Sequence, residues 1–193
     1  VTNREAKYEI TVKANSATAT YDGKEHEAVG VETYEFTVEG NSYTVSGLST
    51  EDPKQKDAGS YTNNITGTPV VTDKEGNVVT SEFEVKTENG SLEIGKAAVT
   101  LKSATLSKKY DGNALVNGDT ALEVESGFAE GEGATYNFTG SQTVVGSSAN
   151  AFSYELNSNT NIDNYAISKQ EGTLTVTNRE AKYEITVKAN SAT

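Results

Sequence analysis

The histidine and the acidic side chains are the residues that could carry acid–base chemistry in this sequence. The 193-residue chain contains 28 acidic residues, no cysteine and a single histidine, His26. A thiol nucleophile is therefore excluded, and a serine nucleophile would depend on His26 as its only imidazole base. His26 lies in a polar run, residues 24–27, and no pair of carboxylates is set apart by its spacing. We predict that the protein is not an enzyme and that His26 is a surface or half-buried structural residue.

Oxygen-bearing side chains at residues 157–163 could instead coordinate a metal ion. Their sequence, NSNTNID, places oxygen donors at alternate positions, as at the beginning of a calcium-binding loop. An EF-hand loop needs glycine at its sixth position and a bidentate glutamate at its twelfth. Those positions hold Ile162 and Ser168. We predict a polar turn here, with no metal and no cofactor; weak calcium binding at acidic turns between domains is an open alternative.

The tripeptide Tyr-Asp-Gly occurs twice. A tyrosine can bury its ring while its hydroxyl finds a hydrogen-bond partner. Aspartate bonds to its own backbone in turns, and glycine tolerates a positive φ. The motif therefore predicts the end of a strand that enters a tight turn, with ligand contact as the alternative. The candidate structural residues are Tyr21, Asp22, Gly23, Tyr110, Asp111 and Gly112.

Apolar and polar residues alternate along much of the chain, which is the pattern of strands with one buried face. The clearest stretch is 8–14, where Tyr8, Ile10, Val12 and Ala14 alternate with polar residues. Residues 49–59 have helix-start signals but almost no apolar face, so a 3-10 turn or loop is predicted there. Hairpin turns are predicted at residues 73–76 and at Asn89-Gly90. The other predicted strands are 31–38, 42–45, 68–72, 77–80, 83–85, 91–94, 99–102, 122–124, 135–138, 152–156, 165–167 and 173–176.

The chain contains an identical duplication, because residues 176–193 repeat residues 1–18 letter for letter, a period of 175 residues. This predicts a segment of a tandem array. A weaker repeat lies inside the period: residues 10–13 and the first Tyr-Asp-Gly match residues 99–102 and the second at an offset of 89. The repeating unit is therefore predicted to be a pair of related, diverged domains.

The repeats set the predicted domain boundaries. Residues 1–5 are the tail of a preceding repeat, 6–96 a first domain, 97–178 a second domain, and 179–193, identical to 4–18, begin the next repeat. The joining segments are short and not rich in Gly and Ser, so the domains are expected to follow one another end to end with limited freedom. The predicted fold class is all-β, or β-rich and β-grasp-like; a small β-sandwich shows the same alternation.

Charge and hydropathy exclude some partners. The net charge of −12 repels phosphate backbones and anionic lipid surfaces, so we predict no binding to nucleic acid. No apolar run approaches the ~18 residues of a membrane span, and no membrane insertion is predicted.

An ordered set of motifs gives the chain a resemblance to a known group of repeats. In the second half these are residues 110–112, Gly118-Asp119, 140–147, 164–167 and 172–176, and in the first half 21–23, 57–61 and 90–94. They resemble the tandem YDG-type and MBG-type repeat domains of bacterial, Gram-positive cell-surface adhesins. The first half lacks the Gly-Asp pair and has Phe83 where Asn-Tyr is usual. The departures concern shared ligand contacts and leave the shared fold expected.

The resemblance implies an extracellular, cell-surface location in a cell-wall-attached parent protein. It favours a structural stalk or spacer that projects an adhesive region from the cell, with neighbouring repeats of the same chain as partners. The alternative is that each repeat is a weak glycan- or mucin-binding module that acts through avidity. Some Gram-positive stalk domains carry Lys–Asn isopeptide cross-links, which would need a buried lysine. Lys13 and Lys102 are predicted to lie on the exposed strand face, which disfavours such a link through them.

The duplicated segment allows one further hypothesis. Residues 183–189 have the sequence of the first strand, 8–14, but lack the rest of a domain after them in this sequence. Such a strand should be loose, or should pair with an exposed strand edge of another copy. Head-to-tail strand exchange through residues 183–189 is therefore a candidate interaction.

Overall fold

The computed structural model describes residues 6–118, 121–182 and 184–189. Within these ranges the protein is all-β, as predicted, with two 3-10 turns, η1 and η2, and no α-helix. The elements are β1 (Tyr8–Lys13), β2 (Ala17–Thr20), β3 (His26–Glu27), β4 (Glu35–Val38), β5 (Asn41–Thr50), β6 (Lys54–Gln55), β7 (Gly59–Asn63), β8 (Ile65–Asp73), η1 (Thr80–Glu82), β9 (Phe83–Glu88), β10 (Gly90–Gly95), β11 (Ala97–Lys102), β12 (Leu106–Lys109), β13 (Leu115–Val116), β14 (Val124–Ser126), β15 (Ala134–Phe138), β16 (Ser141–Gln142), β17 (Gly146–Ala149), β18 (Phe152–Leu156), η2 (Ile162–Asn164), β19 (Tyr165–Gln170) and β20 (Thr173–Thr177).

The contacts of the chain divide it into two compact units. Unit 1 comprises Val1–Ala97 together with Ile162–Tyr165, a short segment from much later in the chain. Unit 2 comprises Ala98–Asn161 and Ala166–Thr193.

Unit 1 is built from small sheets in which strands distant in sequence are neighbours. Strand β1 runs parallel to β9, while β10 lies between β2, to which it is parallel, and β7, to which it is antiparallel. Strands β4, β5 and β8 form an antiparallel sheet, and β3 pairs with β6. The parallel pairs join the beginning of the unit to its end.

Unit 2 follows the same plan. Strand β20 lies between β12, parallel to it, and β17, antiparallel to it. Leu174 is paired with Leu106 as Leu92 is with Ala17 in unit 1. Strands β13 and β16 pair as β3 and β6 do, β15 pairs with β18, and β11 lies between β14 and β19. The offset between corresponding strands is 89 residues for β2 and β12, 87 for β7 and β17, and 82 for β9 and β19.

The alternation of residues determines which side chains are buried. Ile10 and Val12 of β1 are 6% and 0% exposed, whereas Glu9 and Lys13 on the opposite face are exposed. In unit 1 they form a core cluster with Val45, Val71 and Phe83. The corresponding residues of unit 2, Val99 and Leu101 on β11, are also buried. Burial of an aliphatic side chain contributes about 1.5–3 kcal/mol, so these two strands are major stabilising elements.

The hairpin predicted at Asn89-Gly90 is wrong. The strands on either side, β9 and β10, pair with β1 and with β2 and β7 rather than with each other. The side chain of Asn89 instead accepts a hydrogen bond from the Ile65 amide at 3.0 Å. A Cβ added at Gly90 would lie 2.1 Å from the Asn15 carbonyl oxygen, so this glycine is needed for a close backbone approach as the chain passes between sheets.

The turn predicted at residues 73–76 is present. The carboxylate of Asp73 accepts from the amides of Glu75 and Asn77, and Gly76 has a φ of 87°, the left-handed residue expected there. The strand predicted at 77–80 is reduced to one bridge, Thr72 to Val78. It stops there because the Thr80 hydroxyl accepts from the Val71 amide at 2.8 Å in place of a ladder bond, and η1 begins.

Three smaller predictions differ from the structure at their bounds. Residues 49–59, predicted as a 3-10 turn or loop, include strand residues: Ser49 and Thr50 end β5, Lys54–Gln55 forms β6, and Gly59 begins β7. The strand expected from residue 31 begins at Glu35, after the bridge from Val31 to Ala14, and the one expected at 122–124 is β14.

The duplicated segment has no assigned strand at residues 184–189. Ile185 and Val187 are 84% and 88% exposed, although their identical counterparts Ile10 and Val12 are buried. Tyr183 and residues 190–193, which belong to the same predicted strand and repeat, lie outside the described residues.

Candidate functional site

The first Tyr-Asp-Gly motif is a turn that leaves strand β2. The Tyr21 amide donates to the Gly95 carbonyl at 2.8 Å, which continues the pairing of β2 with β10 by one bond. Asp22 Oδ1 then accepts from the Lys24 amide at 2.9 Å, and Gly23 takes a φ of 79°. The Lys24 N–H and the His26 side chain hold the pKa of the Asp22 carboxyl below its usual value.

The second Tyr-Asp-Gly motif has the same geometry. The Tyr110 amide donates to the Thr177 carbonyl at 2.9 Å, and Gly112 has a φ of 89°. Asp111 Oδ1 accepts from Lys108 Nζ at 2.8 Å and from the Asn113 amide at 2.9 Å. These bonds, that of Lys108 first, lower the pKa of Asp111. Both aspartates are therefore engaged within their own turns.

His26 has a companion that the sequence did not reveal. Its Nε2 lies 3.0 Å from Oδ1 of Asp22, and its side chain is 27% exposed. The contact arises because the turn at Gly23 brings the side chains of Asp22 and His26, four residues apart, to the same side of the turn. His26 thus belongs to the first turn, whereas Leu115 occupies the matching position in unit 2.

Tyr21 also belongs to a surface of unit 1 that holds the segment Ile162–Tyr165. The ring of Tyr165 meets the ring of Tyr21 edge-on, with centroids 5.3 Å apart. Asn164 Nδ2 donates to Asp57 Oδ1 at 2.8 Å, and the Ala58 amide donates to Asn164 Oδ1 at 2.8 Å. Asn164 and Tyr165 are each 2% exposed, so the contact is dry. We call Tyr21, Asp57 and Ala58 the receiving face.

The matching residues of unit 2 are exposed. Aligning β6 and β7 with β16 and β17 places Val144 and Val145 at the positions of Asp57 and Ala58, and Tyr110 at that of Tyr21. Val144 is 66% and Val145 49% exposed, and Tyr110 is half-buried where Tyr21 is buried. We call Tyr110, Val144 and Val145 the valine face. Its apolar character contrasts with the polar contacts of the receiving face.

A buried asparagine at the end of strand β7 is a structural centre that the sequence analysis missed. Asn63 is 0% exposed; its Nδ2 donates to the Asn15 carbonyl at 3.1 Å and its Oδ1 accepts from the Asp52 amide at 3.0 Å. Asp52 needs this support because its φ is 51°, in the left-handed region. The signal that could have revealed Asn63 is its recurrence as Asn150 after the matching strand.

Asn150 has a similar structural role in unit 2, but only one of its two side-chain polar atoms is hydrogen-bonded. Its Nδ2 donates to the Ala104 carbonyl at 2.9 Å and to Asn117 Oδ1 at 2.7 Å. Ser103 joins the cluster by donating to the Asn150 carbonyl and accepting from the Gly172 amide. Oδ1 of Asn150 is buried and has no hydrogen-bond partner among the described residues.

Residues 157–163 form a polar turn. Their oxygens and amides are bonded to one another and to a neighbouring loop. The Thr160 hydroxyl accepts from the Gly133 amide at 2.9 Å, and Asn159 Nδ2 donates to the Gly131 carbonyl at 2.8 Å. Within the described ranges no cluster of three metal-ligating His, Asp or Glu side chains occurs.

The two lysines weighed for a cross-link lie on exposed strand faces, as predicted. Lys13 Nζ pairs with Glu88 at 2.8 Å and Lys102 Nζ with Glu123 at 3.1 Å. Their side chains are 49% and 37% exposed.

Each unit has a groove lined by a cross-strand aromatic pair. In unit 1, Phe36 and Tyr43 lie opposite each other on β4 and β5 beside a groove of about 400 Å³. In unit 2, Tyr136 and Tyr154 are paired on β15 and β18 beside one of about 210 Å³. Burial, reinforced by Glu125, raises the pKa of the Tyr136 hydroxyl.

No protein-family model, curated protein or solved structure matches the chain. In the described part of the chain, no helix has the length and apolar character needed to cross a bilayer. Function therefore has to be inferred from the repeats and from the geometry within each unit.

Proposed function

We propose that the chain is a structural spacer repeat of a large bacterial surface protein, which projects an adhesive region away from the cell. The observation that carries the proposal is the duplication: residues 176–193 are identical to residues 1–18, after two units built on one plan. An array of self-contained domains gains length with each copy.

The mechanism of such a spacer is geometric. Each unit encloses its own core, with Val12 and Val45 fully buried in unit 1 and Leu101 and Leu174 in unit 2. Closely packed interiors have low compressibility, so each unit acts as a block of fixed length. The number of repeats then sets the reach of the parent protein.

The proposal includes an extracellular, cell-wall-attached location. Two features support it: the motif resemblance to surface repeats, and a composition of 28 acidic against 16 basic residues, which favours solubility of a long array. The neighbouring repeats of the same chain are its proposed partners.

The test is the length of proteins that contain one, two and four copies of the 175-residue repeat. Small-angle X-ray scattering should give a maximum dimension that grows in proportion to copy number. A chain of freely jointed units would instead grow about as the square root of that number. Square-root growth in the native sequence would overturn the spacer proposal.

A matched variant makes this measurement sharper. Insertion of four glycines between Gly95 and Ala98 should move growth toward the square-root law, because it adds freely rotating residues. Insertion of the same four residues in the exposed loop at residues 73–76 is the control and should leave the length unchanged.

Weak binding of glycan or mucin is the second candidate function. It is favoured by the two grooves, each of which is lined by polar side chains of paired strands together with residues of an aromatic pair. In unit 2, Thr135, Asn137 and Glu155 lie on the face of the paired strands β15 and β18 opposite the tyrosine pair, and they would supply polar groups for hydroxyl recognition there. Affinity of a single groove would be low and would rise with copy number through avidity.

Glycan and mucin arrays probed with one-copy and four-copy proteins test this candidate. Signal that rises with copy number and falls in Tyr154→Ser would support it, with Thr62→Ser on an exposed strand face as the control. Silence of both proteins at high concentration would remove it and leave the spacer proposal unaffected.

Strand exchange through residues 183–189 is proposed only for an acceptor chain that lacks its own first strand. An exchanged segment would make the contacts that β1 already makes, because the sequences are identical, and association costs entropy. The intact acceptor therefore gains nothing. A protein lacking residues 1–14 should bind the intact chain, and failure to bind it in light scattering would dispose of the exchange.

A further inference from the structure

We infer that Asn117 is a site of spontaneous covalent modification, at which the main-chain nitrogen of Gly118 closes a succinimide ring onto the Asn117 side chain. The sequence contains two Asn-Gly pairs, at residues 89–90 and 117–118. Glycine favours this ring closure because it has no side chain to obstruct the approach of its nitrogen. The structure separates the two pairs, since they differ in how firmly the glycine is held.

The pair Asn89-Gly90 is fixed by its surroundings. Asn89 Oδ1 accepts from the Ile65 amide at 3.0 Å, and Asn89 Nδ2 donates to Asn64 Oδ1 at 2.8 Å. Gly90 is buried, begins β10 in its pairing with β7, and has a Cβ position only 2.1 Å from the Asn15 carbonyl oxygen. The Gly90 nitrogen can turn toward the Asn89 side chain only if this end of β10 leaves its partners, so the folded structure protects the pair.

The pair Asn117-Gly118 follows β13 and lies outside any strand. Gly118 is exposed, and a Cβ placed on it would meet nothing within 4 Å. Asn117 Nδ2, the group that leaves, lies 3.4 Å from the Ala121 carbonyl oxygen, which is at the outer limit of a hydrogen bond. The Gly118 nitrogen can therefore approach Cγ of Asn117 without the opening of a sheet.

A buried side chain also donates to the carbonyl that reacts. Asn150 is 0% exposed, and its Nδ2 donates to Asn117 Oδ1 at 2.7 Å. Negative charge develops on this oxygen when the nitrogen adds to Cγ, and a donor fixed at this distance stabilises that charge. The Ile65 amide bonds to Asn89 Oδ1 in the same way, so the two pairs differ in the freedom of the glycine nitrogen and not in this donor.

The reaction needs only water as a co-reactant. A bond forms between the Gly118 nitrogen and Asn117 Cγ, the bond from Cγ to Nδ2 breaks, and ammonia leaves with the proton of the Gly118 nitrogen. Water then adds to one of the two ring carbonyls and opens the ring to an aspartyl or an isoaspartyl residue. The aspartyl product retains an oxygen that can accept from Asn150 Nδ2, whereas the isoaspartyl product lengthens the main chain by a methylene. Either product adds one negative charge to the net charge of −12.

The experiment is incubation of the full chain at mildly alkaline pH, folded and also unfolded in urea, followed by peptide mapping with mass spectrometry. In the unfolded chain the two asparagines should lose ammonia at similar rates, because each precedes a glycine. In the folded protein Asn117 should react at least about tenfold faster than Asn89, because the strand pairing around Gly90 must open first. Asn113 is the internal control, since it is exposed but precedes an alanine, and it should remain intact in the folded protein.

A variant tests whether the Gly118 nitrogen is the attacking group. Gly118→Ala should slow the modification of Asn117 and leave that of Asn89 unchanged, because the added methyl obstructs the nitrogen while the open space around it preserves the fold. Equal rates at Asn117 and Asn89 in the folded protein would overturn the inference. So would an Asn117 that reacts only in the unfolded chain, or a Gly118→Ala variant in which Asn117 reacts at the native rate.

Discussion

The side-chain amide of Asn63 donates to the main-chain carbonyl of Asn15 at 3.1 Å, which ties the end of one strand to the turn that follows another. Asn150 makes the same bond to the Ala104 carbonyl at 2.9 Å in unit 2. Both asparagines are 0% exposed. The two units therefore share a polar centre as well as a strand arrangement.

Removing this centre should destabilise unit 1. Asn63→Ala removes a fully buried side chain and deprives the Asn15 carbonyl and the Asp52 amide of their partner, at a cost of about 1–3 kcal/mol. Urea unfolding followed by circular dichroism measures the loss. The neighbouring exposed Thr62→Ala should stay within about 0.5 kcal/mol of the native protein. Equal losses in the two variants would show that Asn63 has no special role.

The close-approach glycines should not accept a methyl group. A Cβ at Gly90 or Gly172 would lie 2.1 or 2.2 Å from a main-chain carbonyl oxygen. Gly90→Ala and Gly172→Ala should each cost about 1–3 kcal/mol or prevent folding of their unit, because the backbone must move apart. Gly118→Ala, where nothing lies within 4 Å, is the control. Thermal unfolding that ranks Gly118→Ala with the other two would contradict this account.

The duplicated segment provides a substitution pair in identical sequence surroundings. Ile10→Ala should cost about 2–5 kcal/mol, because the side chain is 6% exposed in the core of unit 1. Ile185→Ala, in a side chain 84% exposed, should change the free energy of unfolding by less than about 0.5 kcal/mol. Chemical denaturation of both variants measures the difference. Comparable losses would mean that residues 184–189 are packed in solution.

The first Tyr-Asp-Gly turn should contribute to acid sensitivity. The Lys24 amide and His26 lower the pKa of Asp22 in the folded protein. The charged form of Asp22 therefore stabilises the fold fully when the pH is above the pKa of the unfolded state, about 3.9. This stabilisation is lost as the pH falls through the lower pKa of the folded state. Asp22→Asn keeps an acceptor for the turn but removes the charge, so its melting temperature should fall less steeply than that of the native protein between pH of about 4 and 2. Parallel melting curves over that range would refute the assignment.

The Asn164 contact should stabilise the receiving face. Asn164→Ala removes the bonds to Asp57 and to the Ala58 amide from a buried site, at a cost of about 1–3 kcal/mol. Amide hydrogen exchange at Ala58 should accelerate. Glu82→Ala, at the equivalent and exposed position of η1, is the control for stability. Unchanged exchange at Ala58 would show that the bond does not hold in solution.

The strands that could be predicted are those whose side chains alternate strongly. Residues 8–14 and 152–156 correspond to β1 and β18, because one face of each is plainly apolar. Strand β2, Ala-Thr-Ala-Thr, was missed because small residues give a weak pattern, and its place is set by pairing with β10 at the far end of the unit. The hairpin predicted from Asn89-Gly90 was wrong, because pairing between distant strands prevailed over the hairpin preference of the dipeptide.

The candidate sites likewise divide into those that could be predicted from the sequence and those that could not. The geometry of the Tyr-Asp-Gly turns follows from their residue types, since an Asx bond and a glycine with positive φ are local. Asn63 and Asn150 could not be recognised from their residue type, because buried polar residues resemble surface residues until their partners are known; their recurrence at matching positions was the only available signal. The valine face required the alignment of one unit on the other, for Val144 and Val145 have no distinctive spacing.

The segments 9–14 and 184–189 have the same intrinsic rate of amide hydrogen exchange at each position, because that rate depends on the local sequence. One segment is bonded into a sheet at Lys13, Val12 and their neighbours, and the other is not assigned to any strand. The ratio of the two measured rates at matching positions therefore gives the opening free energy of strand β1 directly. The chain carries its own unprotected reference within one sample, at one pH and one temperature.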